Sequence, residues 1–129
     1  MQGNQPFASI SETVKTYVEG MARGDATALL RAFHPGVASI GHFDGGLEWM
    51  NIEEFVAACQ SEAIPEGAAI PAWKIESIDI AGDTAIVRVV NCMAGLRFRD
   101  SLSLLMHEGR WQIVAKVFCQ LPADASDQA

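Results

Sequence analysis

Apolar residues recur along the first part of the chain with a helical period. Ile10, Val14, Tyr17, Val18 and Met21 fall at i, i+4, i+7, i+8 and i+11, one stripe of an amphipathic helix from about Phe7 to Met21. Ser9 or Ser11 is placed to cap it, and Glu12, three residues after Ser9, completes a capping box. Gly24 breaks this helix, and Asp25 caps a shorter one that turns Leu29, Leu30 and Phe33 inward until Pro35 and Gly36 stop it. Val37–Phe43 then reads as a strand, Asp44-Gly45-Gly46 as a turn and Leu47–Met50 as a short returning strand. Asn51, with Glu54 three residues on, opens a third helix whose inner face is Ile52, Phe55, Val56 and Cys59. Residues 62–72, with Pro65, Gly67 and Pro71, form a connector.

After the connector the period changes to two. Segments 73–80, 84–93, 96–106 and 110–121 are rich in Val, Ile and aromatics, and "AGD", "AG" and "HEG" separate them at hairpin spacing. Helices come first and a long antiparallel meander follows, which predicts an α+β fold with the helices gathered on one face of the sheet. A single domain over residues 1–129 is expected, with 1–6 and 122–129 as polar tails.

Composition narrows the function. Half of the 129 residues are hydrophobic and 19% are charged, so a packed core is expected, with roughly two-thirds of the unfolded surface buried. The formal net charge is −7 with nine Lys and Arg, which argues against nucleic-acid binding and against an anionic membrane surface. No run of about 18 apolar residues and no secretion signal is present, so a cytoplasmic protein with reduced thiols is expected. Cys59, Cys92 and Cys119 are far apart and form no Cys/His pair, so neither a metal nor a cofactor is expected. Cys92 and Cys119 lie in apolar strand-like runs and read as buried, inert thiols.

The segments "YVEGMARGDATALLRAFHPGVAS" and "GRWQIVAKVF", on either side of a hairpin, a helix and a meander, resemble the nuclear transport factor 2-like superfamily over residues 8–120. Within it they are most similar to the small bacterial "SnoaL-like / putative lumazine-binding" branch. The resemblance implies a cone-shaped, cystatin-like fold, with three N-terminal helices on a strongly curved antiparallel sheet around an apolar cavity. It also implies a homodimer through the sheet. The superfamily includes ketosteroid isomerases, dehydratases, polyketide cyclases and limonene epoxide hydrolases. Laid on this chain, the isomerase pattern matches its oxyanion-donor tyrosine to Tyr17. Its general-base aspartate falls at Gly41 and its protonated aspartate near Ser103, so two of three catalytic groups are missing.

Other residues offer chemistry. His42 stands beside the missing base and is the candidate general base if its strand face looks into the cone, with Asp44 placed to orient it and Tyr17 as oxyanion donor. His34 follows the second helix, where it can serve as a C-cap. Strand alternation sets Arg97, Arg99, Ser101 and Ser103 on one side and Phe98, Asp100, Leu102 and Leu104 on the other. The resemblance points the face carrying Lys116 inward, where a lysine needs a carboxylate, Asp100 or Asp44. Phe33, Trp49, Phe55, Ser103, Lys116 and Phe118 are the expected ligand-binding residues. Two readings follow. The first is a module binding a small apolar or aromatic ligand in the cone cavity; the second is a lyase, isomerase or hydrolase using His42 and Tyr17.

Overall fold

In the computed structural model, which describes residues 5–123, three helices pack on a six-stranded sheet, two of them before its first hairpin and the third directly after it. The elements are α1 (Gln5–Arg23), α2 (Ala26–Ala32), β1 (Ser39–Phe43), β2 (Gly46–Met50), α3 (Ile52–Ser61), β3 (Lys74–Ala81), β4 (Thr84–Met93), β5 (Leu96–His107) and β6 (Arg110–Gln120). The curved sheet runs in the order β2-β1-β6-β5-β4-β3, with every pair antiparallel except β1–β6. This is the α+β cone that the sequence pattern and the resemblance predict.

Local chemistry explains most boundaries. Asn51 Oδ1 accepts from the Glu54 amide at 2.8 Å while Glu54 Oε1 accepts from the Asn51 amide at 3.0 Å, so the expected capping box opens α3. Asp25 caps α2 by accepting from the Ala28 amide at 3.2 Å. Three hairpin turns, Asp44-Gly45, Ala94-Gly95 and Glu108-Gly109, hold both central residues at positive φ, the geometry that matches a two-residue loop to the twist of its strands.

Some expectations need correction. α1 starts at Gln5, so Ser9 and Ser11 lie within the helix and cap nothing; Pro6 sits in its first turn, where a missing amide hydrogen does no harm. Gln5 and Pro6 are therefore helical, Pro122 and Ala123 lie outside any helix or strand, and the other expected tail residues, 1–4 and 124–129, lie outside the described residues. Leu30 is 52% exposed, because the short α2 turns only Leu29 and Ala32 to the core. Phe33, not His34, is the C-cap, and the His34 ring accepts at Nδ1 from the Gly36 amide. Cys119 is exposed and Cys92 half-buried, since both fall off the inner face; Cys59 is the buried thiol.

The core lies between the helices and the concave face of the sheet. Ile10, Val14, Tyr17, Leu29 and Phe33 meet Val87, Val89, Leu102, Leu104 and Ile113 there. Thr13 donates to the Trp111 carbonyl at 3.2 Å and ties α1 to β6. Alternation along β6 is interrupted where its register with β5 shifts, so that Trp111, Gln112 and Ile113 are all buried. Among the described residues no helix is long and apolar enough to cross a membrane.

Candidate functional site

A cavity of about 160 Å³ opens between α3, β2 and the inner face of β4–β6. A single water needs only about 10–15 Å³ of such space, so a small organic molecule fits. Most of the wall is apolar, including Met21, Phe43, Phe55, Met93, Phe98 and Phe118. Its polar groups are few: Asn91, Asp100 and Lys116 inside, with Glu48, Ser61 and Glu62 at less buried positions. Apolar walls with a handful of fixed polar groups are the usual make-up of a small-molecule site.

Asp100 is the central polar residue. Parity on β5 sends it inward with Phe98 and Leu102, and it is 1% exposed. Its Oδ2 accepts from the Tyr17 hydroxyl at 2.5 Å and from Asn91 Nδ2 at 2.9 Å. Its Oδ1 is buried with no hydrogen-bond partner among the described residues. An orphaned buried oxygen carries a desolvation penalty of about 1–3 kcal/mol, which marks the atom as waiting for a partner.

Tyr17 is held for donation. Its ring is fully buried and meets Phe33 edge-on, with centroids 5.2 Å apart at 81°, and Phe33 in turn meets Phe55 at 5.6 Å. Burial pushes the phenol well above its ordinary pKa, and the neighbouring Asp100 carboxyl adds to the shift, so Tyr17 stays a protonated donor.

Lys116 stands on β6 opposite Leu102 of β5 and Ser39 of β1. It is 5% exposed, and its Nζ lies 4.0 Å from the Phe55 ring centroid, 5.1 Å from Phe118 and 5.3 Å from Tyr17. Among the described residues Nζ makes no hydrogen bond and no ion pair within 4.0 Å. Burial lowers its pKa, while the charges of Asp100, Cys59 and Glu48 pull it the other way. Cys59 is no nucleophile, because burial raises its thiol pKa to about 12.

Sequence-expected residues divide sharply. Phe55, Lys116 and Phe118 line the cavity, while Tyr17 stands behind that wall and touches it through its hydrogen bond to Asp100, with Phe33 packed on the Tyr17 ring. His42 is exposed and faces a shallow groove on the outside with Asp44 and Gln120. Asp44 does not orient it: among the described residues no hydrogen bond joins them, and the Asp44 amide donates to Gln120 Oε1 at 2.6 Å. Parity decides this, since Gly41 takes the inner position of β1 and His42 the outer. Trp49 is 68% exposed and Ser103 lies on the outer face of β5, so neither lines the cavity. The acid partner of Tyr17 is therefore Asp100, three residues before the position that the resemblance indicated. Of the two carboxylates considered for Lys116, Asp100 is the one whose charge it feels.

Gly41 has its own explanation. A Cβ there would stand 2.5 Å from the Phe118 carbonyl and 2.7 Å from its ring, so Phe118 fills the space that a side chain at this position would need. Asn91 and Glu48 escaped the sequence reading. The available signal was a polar residue at an inward position of an otherwise apolar strand, which applies to Asn91 after Val87 and Val89.

A family model described as "Putative lumazine-binding" matches residues 5–119. A curated protein, "Aldolase FrzH" from Cladobotryum sp, is 30% identical over 121 residues, 90% of this chain and 92% of that protein. Among solved structures, an NTF2-like protein of unknown function from Silicibacter pomeroyi DSS-3 is 39% identical with a TM-score of 0.88, covering 94% of this chain and all of that one. Another, from Shewanella baltica OS155, is 27% identical with a TM-score of 0.81, covering 92% and 96%.

Proposed function

The chain belongs to the "Putative lumazine-binding" family of the NTF2-like superfamily, and from that premise we propose that its cone cavity binds a small, mostly apolar carbonyl compound and catalyses a lyase- or isomerase-type proton transfer on it. The observation that carries this reading is that Asp100 lines the cavity and its buried Oδ1 has no hydrogen-bond partner among the described residues. A carboxyl oxygen so placed takes the proton from the carbon beside the carbonyl. Tyr17 and Asn91 fix the carboxyl through Oδ2, leaving Oδ1 free to exchange protons. Lys116 presents its nitrogen to the developing negative charge on the carbonyl oxygen, in a pocket where water screens little. The base role thus moves from His42 to Asp100. The name of the relative from Cladobotryum sp, an aldolase, supports the lyase class. A homodimer through the outer sheet face also belongs to this proposal, supported by exposed Ile86 and Val117 on that face; light scattering at twice 13.9 kDa is the expected result.

The test begins with small aromatic and isoprenoid aldehydes and ketones, scored by thermal stabilisation, because a ligand that binds only the folded state raises its apparent stability. Compounds that bind are then incubated in deuterium oxide and followed by NMR. Incorporation of deuterium beside the carbonyl, faster with protein than without, is expected. Binding with no acceleration for any compound reduces the protein to a binding module.

A further inference from the structure

Lys116 carries a chemistry that a purely structural lysine does not need. A buried ammonium is costly, and lysines held inside proteins are normally paired. This one is enclosed by the rings of Phe55, Phe118 and Tyr17, with no hydrogen bond or ion pair among the described residues, and it lines the same cavity as Asp100, whose Oδ1 is buried without a partner. Attraction to the rings offsets only part of the desolvation. The nearest acid is fixed by other partners: Tyr17 and Asn91 occupy Asp100 Oδ2. Asp100 lies opposite Phe118, two residues along β6 from Lys116 and on the same inner face. A lysine and a carboxyl, each with an unpartnered buried polar atom, thus line one small, mostly apolar cavity.

Resting on the reading above, we propose that Lys116 is a nucleophile that binds an aldehyde or ketone covalently as a Schiff base. The neutral amine adds its lone pair to the carbonyl carbon, and the carbonyl π electrons move to oxygen. Nitrogen loses a proton and oxygen gains one, giving a carbinolamine. Asp100 Oδ1 then delivers a proton to that hydroxyl, which leaves as water while the nitrogen lone pair forms the carbon–nitrogen double bond. The resulting iminium accepts the electron pair from the adjacent C–H bond, whose proton goes to Asp100, giving an enamine; Asp100 returns a proton to that carbon, and water adds to the regenerated iminium, releasing the carbonyl compound and the neutral amine. No oxidant or reductant enters. Burial helps by lowering the ammonium pKa and raising the fraction of neutral amine.

The chain supplies its own references, because its other lysines, Lys15 and Lys74, are exposed. The protein is incubated with acetaldehyde, butanal or benzaldehyde and borohydride, digested, and mapped by mass spectrometry. A reduced adduct at Lys116, formed at least about tenfold faster than at Lys15 and Lys74 for one or more probes, is expected for a desolvated amine beside an acid. Asp100→Asn should slow labelling at Lys116 by about tenfold or more and leave the reference lysines unchanged, since the proton donor is lost. If no probe prefers Lys116, or if Asp100→Asn labels it as fast as the native chain, the covalent role is overturned. Deuterium incorporation that persists without Lys116 labelling removes the Schiff base and keeps the proton-transfer reading. Labelling without deuterium incorporation from butanal does the reverse.

Discussion

Tyr17→Phe removes one oxygen atom from the interior and little else. The ring contacts with Phe33 and Phe55 survive, and no cavity larger than a hydroxyl is left. What is lost is the hydrogen bond to Asp100 Oδ2 at 2.5 Å, after which Asn91 Nδ2 is the remaining donor on that carboxyl. A hydrogen bond to a charged group contributes about 1.5–3 kcal/mol net, so the variant should lose about 2 kcal/mol. With an unfolding entropy of roughly 0.27 kcal/mol/K for a chain of this length, Tm should fall by about 7 °C. Chemical denaturation supplies the free energy and a companion series supplies the control. In an Asp100→Leu background the Tyr17 hydroxyl has no acceptor, so adding Tyr17→Phe there should be neutral or stabilising. The coupling between the two sites should then be about 2 kcal/mol. A Tyr17→Phe change below about 0.5 kcal/mol, or additive effects in the double variant, would refute the view that this bond holds the carboxyl.

Lys116→Met should stabilise the protein at neutral pH by about 1 kcal/mol, because burial of the ammonium outweighs its attraction to Asp100, Cys59 and Glu48. The folded pKa lies below the unfolded one, so the penalty is complete below the folded value and fades as pH rises toward about 10.4; the advantage of the variant in thermal melts should shrink over the same range. Gly41→Ala should destabilise by about 2 kcal/mol or more in urea titrations, and Phe118→Ala should not restore it fully, since the clash at 2.5 Å is with the Phe118 backbone carbonyl. Asn51→Ala loses the capping box of α3 and should lower stability by about 1 kcal/mol.

Much of the fold was legible because its local signals agree. The stripe from Ile10 to Met21, the Asn51–Glu54 box and the Gly-containing turns each specify an element without help from the rest of the chain. Helix starts were less legible where a proline, not a serine, lies in the first turn, as at Pro6. The site was harder, because it depends on which face of each strand looks inward and on register between strands far apart in sequence. Parity along β5 correctly separated Asp100 from Arg99 and Ser101. No local rule, however, brings Asp100 of β5 to Tyr17 of α1, a contact spanning 83 positions. His42 drew notice as a histidine beside the vacant base position. Its position directly after Gly41 puts it on the opposite face.

In the proposed reaction the base is Asp100 on the inner face of the sheet and not His42 on the outer face. The most direct test compares deuterium incorporation beside the carbonyl of a bound aldehyde or ketone for the native chain, Asp100→Asn and His42→Ala. A positioned general base contributes about 10²–10⁴ in rate. Asp100→Asn should therefore slow incorporation at least about 100-fold while still binding the compound, and His42→Ala should match the native rate. Incorporation that survives Asp100→Asn, or that is lost in His42→Ala, would contradict the account.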